Sequence, residues 1–283
     1  MMHWYVLPVF VLFAAIAAAA GVGGAVFYVP FFMLVLGIAP ETAVAAALAT
    51  EIFGFASALF AYAHRHWVDY RLGTTLLLGT IPAALLGSWL ASLIEPRGLK
   101  AIVGVGLFVV TANALRRSAR GRPSLPAEDA HEPPGAEQEK HRLVTADGEE
   151  IRYTVCNRTE GWLVATLGGL FKGMIATGIG ELDDDFLLDH CHVPSRVSVA
   201  TSVFVVLFTT LAASVGHLVR LGLGAGHELA TLFRLLVFSA PGVILGGQLG
   251  PWFTEHIPPR AFERDLHIFL LLVAALTFAE ALL

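Results

Sequence analysis

Long apolar runs constrain this chain more than any motif does. A membrane-spanning helix needs about 20 mostly apolar residues. Seven stretches offer that: Glu41–Ala63, Leu72–Ile94, Leu99–Leu115, Gly161–Thr177, Val197–Val219, Glu228–Leu249 and Phe262–Leu283. A further segment, Trp4–Leu36, is too long for one straight span. At helical rise it would reach about 50 Å, against a hydrocarbon core of about 30 Å. "GVGG" at Gly21–Gly24 interrupts it, which predicts a helix, a glycine-rich break and a second helical piece. The stretch from Gly161 has the same form, broken by "GIGE" at Gly178–Glu181.

Composition agrees with lipid as the solvent. Of 283 residues, 56% are hydrophobic and only 14% charged, where soluble domains carry about 25%. A folded chain of this size cannot hide so much apolar surface from water. The predicted class is therefore all-α and polytopic. The net charge of −5 comes with no basic face, which excludes nucleic acid as a partner. Cys156 and Cys191 form no disulfide framework and no metal motif. The N-terminal run resembles a secretory signal. Its leading residues hold no Lys or Arg, and it takes part in an internal repeat, so it is expected to stay in the mature chain.

Residues 118–160 differ in character. "RSARGRPSLPAEDAHEPPGAEQEK" is polar and proline-rich, as linkers are. "RLVTADGEEIRYTV" follows, with alternating residues around Asp147-Gly148. That pattern predicts a hairpin with a two-residue turn, either capping one mouth of the bundle or merely decorating the linker. Arg116, Arg117, Arg120 and Arg122 follow a predicted span directly. The bias of Lys and Arg toward the inside puts this loop in the cytoplasm of a multi-pass cell-membrane protein.

The two halves of the chain resemble each other. "GVGG" at Gly21 answers "GIGE" at Gly178, and "APETAVAAA" at Ala39 answers "PSRVSVATS" at Pro194. His64 answers His217, "PAALLG" at Pro82 answers "PGVILG" at Pro241, and "EPRGLK" at Glu95 answers "PPRAFE" at Pro258. The division expected is a first four-span repeat at 1–117, the polar loop, and a second repeat at 161–283. An even span count predicts that both repeats share one orientation. Transporters are commonly built from such duplications, with substrate held between them by discontinuous helices.

This doubled order of glycine break, proline, "AVA", histidine and Pro-x4-Gly resembles the TauE/SafE family of sulfite and sulfonate permeases. The resemblance covers nearly the whole chain outside residues 118–160. It implies transport of small sulfur-containing or organic anions, driven by an ion gradient. No cofactor is expected. The expected partners are the anion and the bilayer, with a second copy of the chain left open.

Candidate residues follow from the chemistry of breaks and buried charge. An unwound helix frees N–H groups that suit an oxyanion. Gly21, Gly23, Gly24, Gly178 and Gly180 are thus candidates for binding substrate, or for close helix packing instead. Thr201 and Ser202, with Thr209 and Thr210 two turns on, either donate to an anion or bond between helices. Lys172 attracts an anion, pairs with Glu51 or Glu181, or reaches for the interface. Glu51 lies deep in an apolar run. Such a carboxylate is costly, and marks a proton carrier or the partner of a buried donor. His64 and His217 are either solvated at span ends or involved in gating.

The densest charge is "GIGELDDDFLLDHCH". Glu181, Asp183, Asp184 and Asp185 suit the first turn of a helix, where they complement its dipole. They also suit a coupling proton or cation. With Asp189, His190 and His192 they offer ligands to a metal, although no metal motif is matched. We expect the anion near Gly21–Gly24 and ion coupling near Glu181, Asp183 and Asp184, together with Glu51. A divalent-cation permease and an intramembrane metalloenzyme or sensor are the alternatives. No nucleophile–base pair or phosphate loop is present in the sequence.

Overall fold

A computed structural model describes residues 6–20, 23–119, 139–146, 148–155, 158–177, 187, 193–223 and 227–256. The helices are α1 (Val6–Ala20), α2 (Ala25–Pro30), α3 (Pro40–His64), α4 (Tyr70–Ala91), α5 (Pro96–Ala119), α6 (Arg158–Ile175), α7 (Ser195–Leu223) and α8 (His227–His256). Strands β1 (Glu139–Val144) and β2 (Glu150–Val155) form an antiparallel hairpin between α5 and α6. Among the described residues, four helical segments are long and apolar enough to cross a membrane: Pro40–His64, Tyr70–Ala91, Arg196–Arg220 and Leu229–Gly250. Their outer faces expose large apolar side chains such as Leu78, Trp89, Phe233 and Val237. In water such a surface would aggregate, whereas lipid accepts it. The expected last span, 262–283, lies outside the described residues.

The first apolar segment folds back on itself. α1 is about 22 Å long at helical rise, too short to cross. α2 returns antiparallel beside it, with Phe10 stacked on Tyr28 and Phe32 and Phe13 stacked on Phe27. Pro30 cannot supply a helical N–H. Beyond it the helix widens into a π-turn over Phe31–Val35, closed by Leu36 N–H to Phe31 O. Gly37 ends it at φ +64°, a backbone geometry that glycine accepts freely.

Helix directions follow from the residues that meet. Glu51 meets Thr210, and the backbone N–H of Asp69 donates to Thr201 Oγ1, so α3 and α7 run antiparallel. Thr50 meets Ser239, and Ser57 donates to Ile244 O, so α3 and α8 run parallel. Thr80 meets Thr209, and Gly216 lies against Ser88, so α4 and α7 run parallel. This corrects the expectation of one shared orientation. α3 and α7, which the sequence landmarks pair, point opposite ways. The physical reason is the fold-back: α1 and α2 together enter and leave on one side, so they add no net crossing.

The hairpin docks on the end of the bundle where α3 finishes and α4 begins. Asp69 caps α4, its Oδ1 accepting from the N–H groups of Arg71 and Leu72. Its Oδ2 accepts from the Tyr153 hydroxyl at 2.5 Å. Ala146 N–H donates to Arg65 O, and the guanidiniums of Arg65 and Arg196 lie over the Trp67 ring. Of the two expectations for the hairpin, the docked one matches these contacts. The turn differs from the two-residue form expected. Thr145 and Glu149 still pair, through Thr145 N–H to Glu149 O, and Gly148 takes φ +82°. This is a three-position loop ending on a left-handed glycine.

Candidate functional site

The site is built on buried charge. Glu51 sits in the middle of α3 and Lys172 near the end of α6, both with fully buried side chains. Lys172 Nζ lies 2.5 Å from Glu51 Oε2. Among the described residues, Glu51 is the one ion-pair partner of this ammonium. Two donors complete the carboxylate's surroundings. Ala25 N–H, at the start of α2, donates to Oε1 at 3.2 Å, and the Thr210 hydroxyl of α7 donates to Oε2 at 3.1 Å.

Each partner is there for a local reason. α2 begins at the glycine break; Val26 and Phe27 N–H donate back to Gly23 O and Gly24 O, and Ala25 N–H needs an acceptor from elsewhere. Glu51 supplies one. Gly24 must lack a side chain, because a Cβ there would fall 2.6 Å from Tyr28 Oη. Isolated, either charge would be very costly to bury; paired and hydrogen-bonded, both become tolerable. The result is an anion-binding cradle occupied by the protein's own carboxylate. An ammonium, a hydroxyl and a helix-start N–H are the donors an oxyanion needs.

The sequence candidates divide by position. Glu51, Lys172 and Thr210 come together, and Gly23 and Gly24 directly precede the donor at Ala25. Thr201 does not join them. Its hydroxyl accepts from Asp69 N–H at the hairpin end, about 13 Å along α7 from Thr210 by helical rise. Ser202 is buried beside it. Thr209 bonds Thr80 across α7 and α4. His217 is buried, with Nε2 2.8 Å from Gly173 O. It is not a solvated interface histidine, and this corrects that expectation: the helix continues past it to Leu223. Gly21, Gly178, Gly180, Glu181, Asp183 and Asp184 lie outside the described residues, as do Asp185, Asp189, His190 and His192. Sequence reading overlooked Ser214 and Thr177. A lone hydroxyl in an apolar run carries no signal until its neighbours are known.

Apolar crossing helices, a re-entrant glycine-broken pair and a wholly buried charged centre define a class, the polytopic membrane transporters. The family model of the sulfite exporter TauE/SafE matches residues 6–277, and the chain belongs to that family. It is also similar to the "Probable membrane transporter protein YunE" of Bacillus subtilis (strain 168), at 24% identity over 99% of each chain. No solved structure matches it. The protein is thus a multi-pass membrane transporter rather than an enzyme.

Proposed function

We propose that the protein carries a small anion of the sulfite or organosulfonate class across the cell membrane by alternating access, coupled to a proton. One observation carries this reading. The Glu51 carboxylate occupies a fully buried cradle made by Lys172, Thr210 and the start of α2. A substrate oxyanion has the same charge and the same kind of acceptor atoms. When Glu51 takes a proton it loses its attraction to Lys172, and the incoming anion takes over the ammonium. The proton and the anion then travel as a neutral pair, which avoids moving net charge through a low-dielectric centre. The family's description as a sulfite exporter supports the choice of sulfite, and organosulfonates carry the same kind of oxyanion.

Alternating access is supported by the opposed directions of α3 and α7. The spacing of 159 residues between Glu51 and Thr210 also relates Thr50 to Thr209 and Thr80 to Ser239. Thr50 bonds Ser239 while Thr209 bonds Thr80, so the two contacts exchange under that shift. This is the pattern of inverted repeats about an axis in the membrane plane, and the Glu51–Thr210 contact falls on that axis. In this reading 1–117 and 161–283 are the repeats. The bias of Lys and Arg toward the inside, read from Arg116, Arg117, Arg120 and Arg122, supports a cytoplasmic loop.

The test is uptake of labelled sulfite and methanesulfonate into proteoliposomes, with and without a proton gradient. The wild type should accumulate anion when the gradient is imposed, and Glu51→Gln should abolish that response. Equal flux with and without the gradient rejects proton coupling. No flux of either anion rejects the substrate class.

A further inference from the structure

Among the described residues, two buried hydroxyls have no hydrogen-bond partner, Thr177 Oγ1 and Ser214 Oγ, and the buried Lys172 ammonium has only its ion pair with Glu51. Lys172, Thr177 and Ser214 are 0%, 1% and 2% exposed. Each unpaired hydroxyl costs about 1–3 kcal/mol. Neighbouring hydroxyls are satisfied: Thr50 on Ser239, Thr80 on Thr209, and Thr210 on Glu51. The orphans therefore do not reflect a general looseness of the interior.

They also belong together in the fold. Ser214 lies one helical turn beyond Thr210, which touches the Glu51–Lys172 pair. It lies just before His217, which touches Gly173. Ser214 thus lies between Thr210, bonded to Glu51 of α3, and His217, bonded to Gly173 of α6 next to Lys172. Thr177 stands just past the end of α6. Ala176, at φ +66°, turns the chain there, and its N–H donates to Lys172 O. The corner bearing Thr177 is tied to the Lys172 turn.

We propose that Lys172, Ser214 and Thr177 form an oxyanion subsite, the place the substrate takes when Glu51 gives up the ammonium. This rests on the transport reading above and extends it to two further binding residues. An ammonium only donates, and a buried hydroxyl without a partner donates most favourably to a charged acceptor. The ligand that satisfies all three is a small anion with several acceptor oxygens.

The experiment measures binding of sulfite and methanesulfonate to the purified full chain in detergent by calorimetry, and sulfite flux in proteoliposomes. Proteins compared are the wild type, Ser214→Ala, Thr177→Val and Thr177→Ser. Losing one hydrogen bond to a charged ligand should weaken binding and raise KM about tenfold. Thr177→Ser should stay near the wild type. Since neither hydroxyl has a partner in the structure, its removal should not lower the melting temperature. Unchanged affinity and KM in both Ser214→Ala and Thr177→Val overturn the subsite, even if the wild type transports sulfite. So does a loss of folding, which would mean that the hydroxyls have structural partners after all. Oxyanion binding that the variants lose, in a wild type that shows no flux, keeps the subsite and rejects transport of these anions. A wild type that binds neither oxyanion overturns the subsite as well.

Discussion

Glu51 and Lys172 hold one another in a place where neither could remain alone. Removing one partner of a buried pair typically costs about 3–5 kcal/mol, because the other charge is left uncompensated. Glu51→Gln should therefore lower thermal stability sharply, as read by unfolding in detergent. The double variant Glu51→Gln/Lys172→Met should recover most of the loss, since a neutral centre of similar volume has no charge to compensate. Sequence alone marked both residues, because charge inside an apolar run is rare enough to stand out. It also raised their pairing as one option among several. It could not decide among them, since Glu51 and Lys172 lie on different helices and nothing local fixes their register. Ser214 and Thr177 stayed invisible for the opposite reason: hydroxyls are common in membrane helices and usually bond between them.

At the scale of elements, close helix contact and a docked hairpin decide the geometry. Glycines let backbones approach: a Cβ at Gly242 would lie 2.7 Å from Leu7 O, and one at Gly169 2.6 Å from Thr80 O. Backbone cannot yield as a side-chain tip can. Gly242→Ala and Gly169→Ala should each cost about 1–3 kcal/mol through overpacking, seen as lower melting temperatures. The hairpin makes a different prediction. Burial, then the hydrogen bond to Asp69, pushes the Tyr153 phenol well above its ordinary value. A raised folded value means the contribution is complete below the unfolded value of about 10 and fades as pH rises above it. Limited proteolysis of the loop should thus quicken at strongly alkaline pH in the wild type. In Tyr153→Phe it should be faster at neutral pH and lose most of that dependence. The spans were legible because their length and apolarity are extreme, and the hairpin because of its alternation. The reversal between α1 and α2 was legible only as a break, since a glycine-rich run permits many directions and packing of Phe10 and Phe13 on α2 selects one.

For the whole molecule, the proposed alternating access requires the halves to move against each other about the charged centre. The Thr50–Ser239 and Thr80–Thr209 contacts each join α3 or α7 to a helix of the other half. In a background of Cys156→Ser and Cys191→Ser, a disulfide between Thr50→Cys and Ser239→Cys should arrest flux, and reduction should restore it. Undiminished flux in the oxidised protein would argue against relative movement at that contact. The landmarks in order suggest an internal repeat, and the opposed directions of α3 and α7 were not legible from them, because counting apolar segments treats the re-entrant pair as a crossing.

The central claim is that substrate is held by the Lys172 ammonium, with Glu51 as its resident stand-in. The most direct measurement is labelled sulfite flux through reconstituted Glu51→Gln/Lys172→Met, the neutral double variant expected to stay folded. The account predicts a folded protein with no sulfite flux above empty liposomes. Flux near the wild-type rate, in a protein that melts where the wild type does, would contradict it.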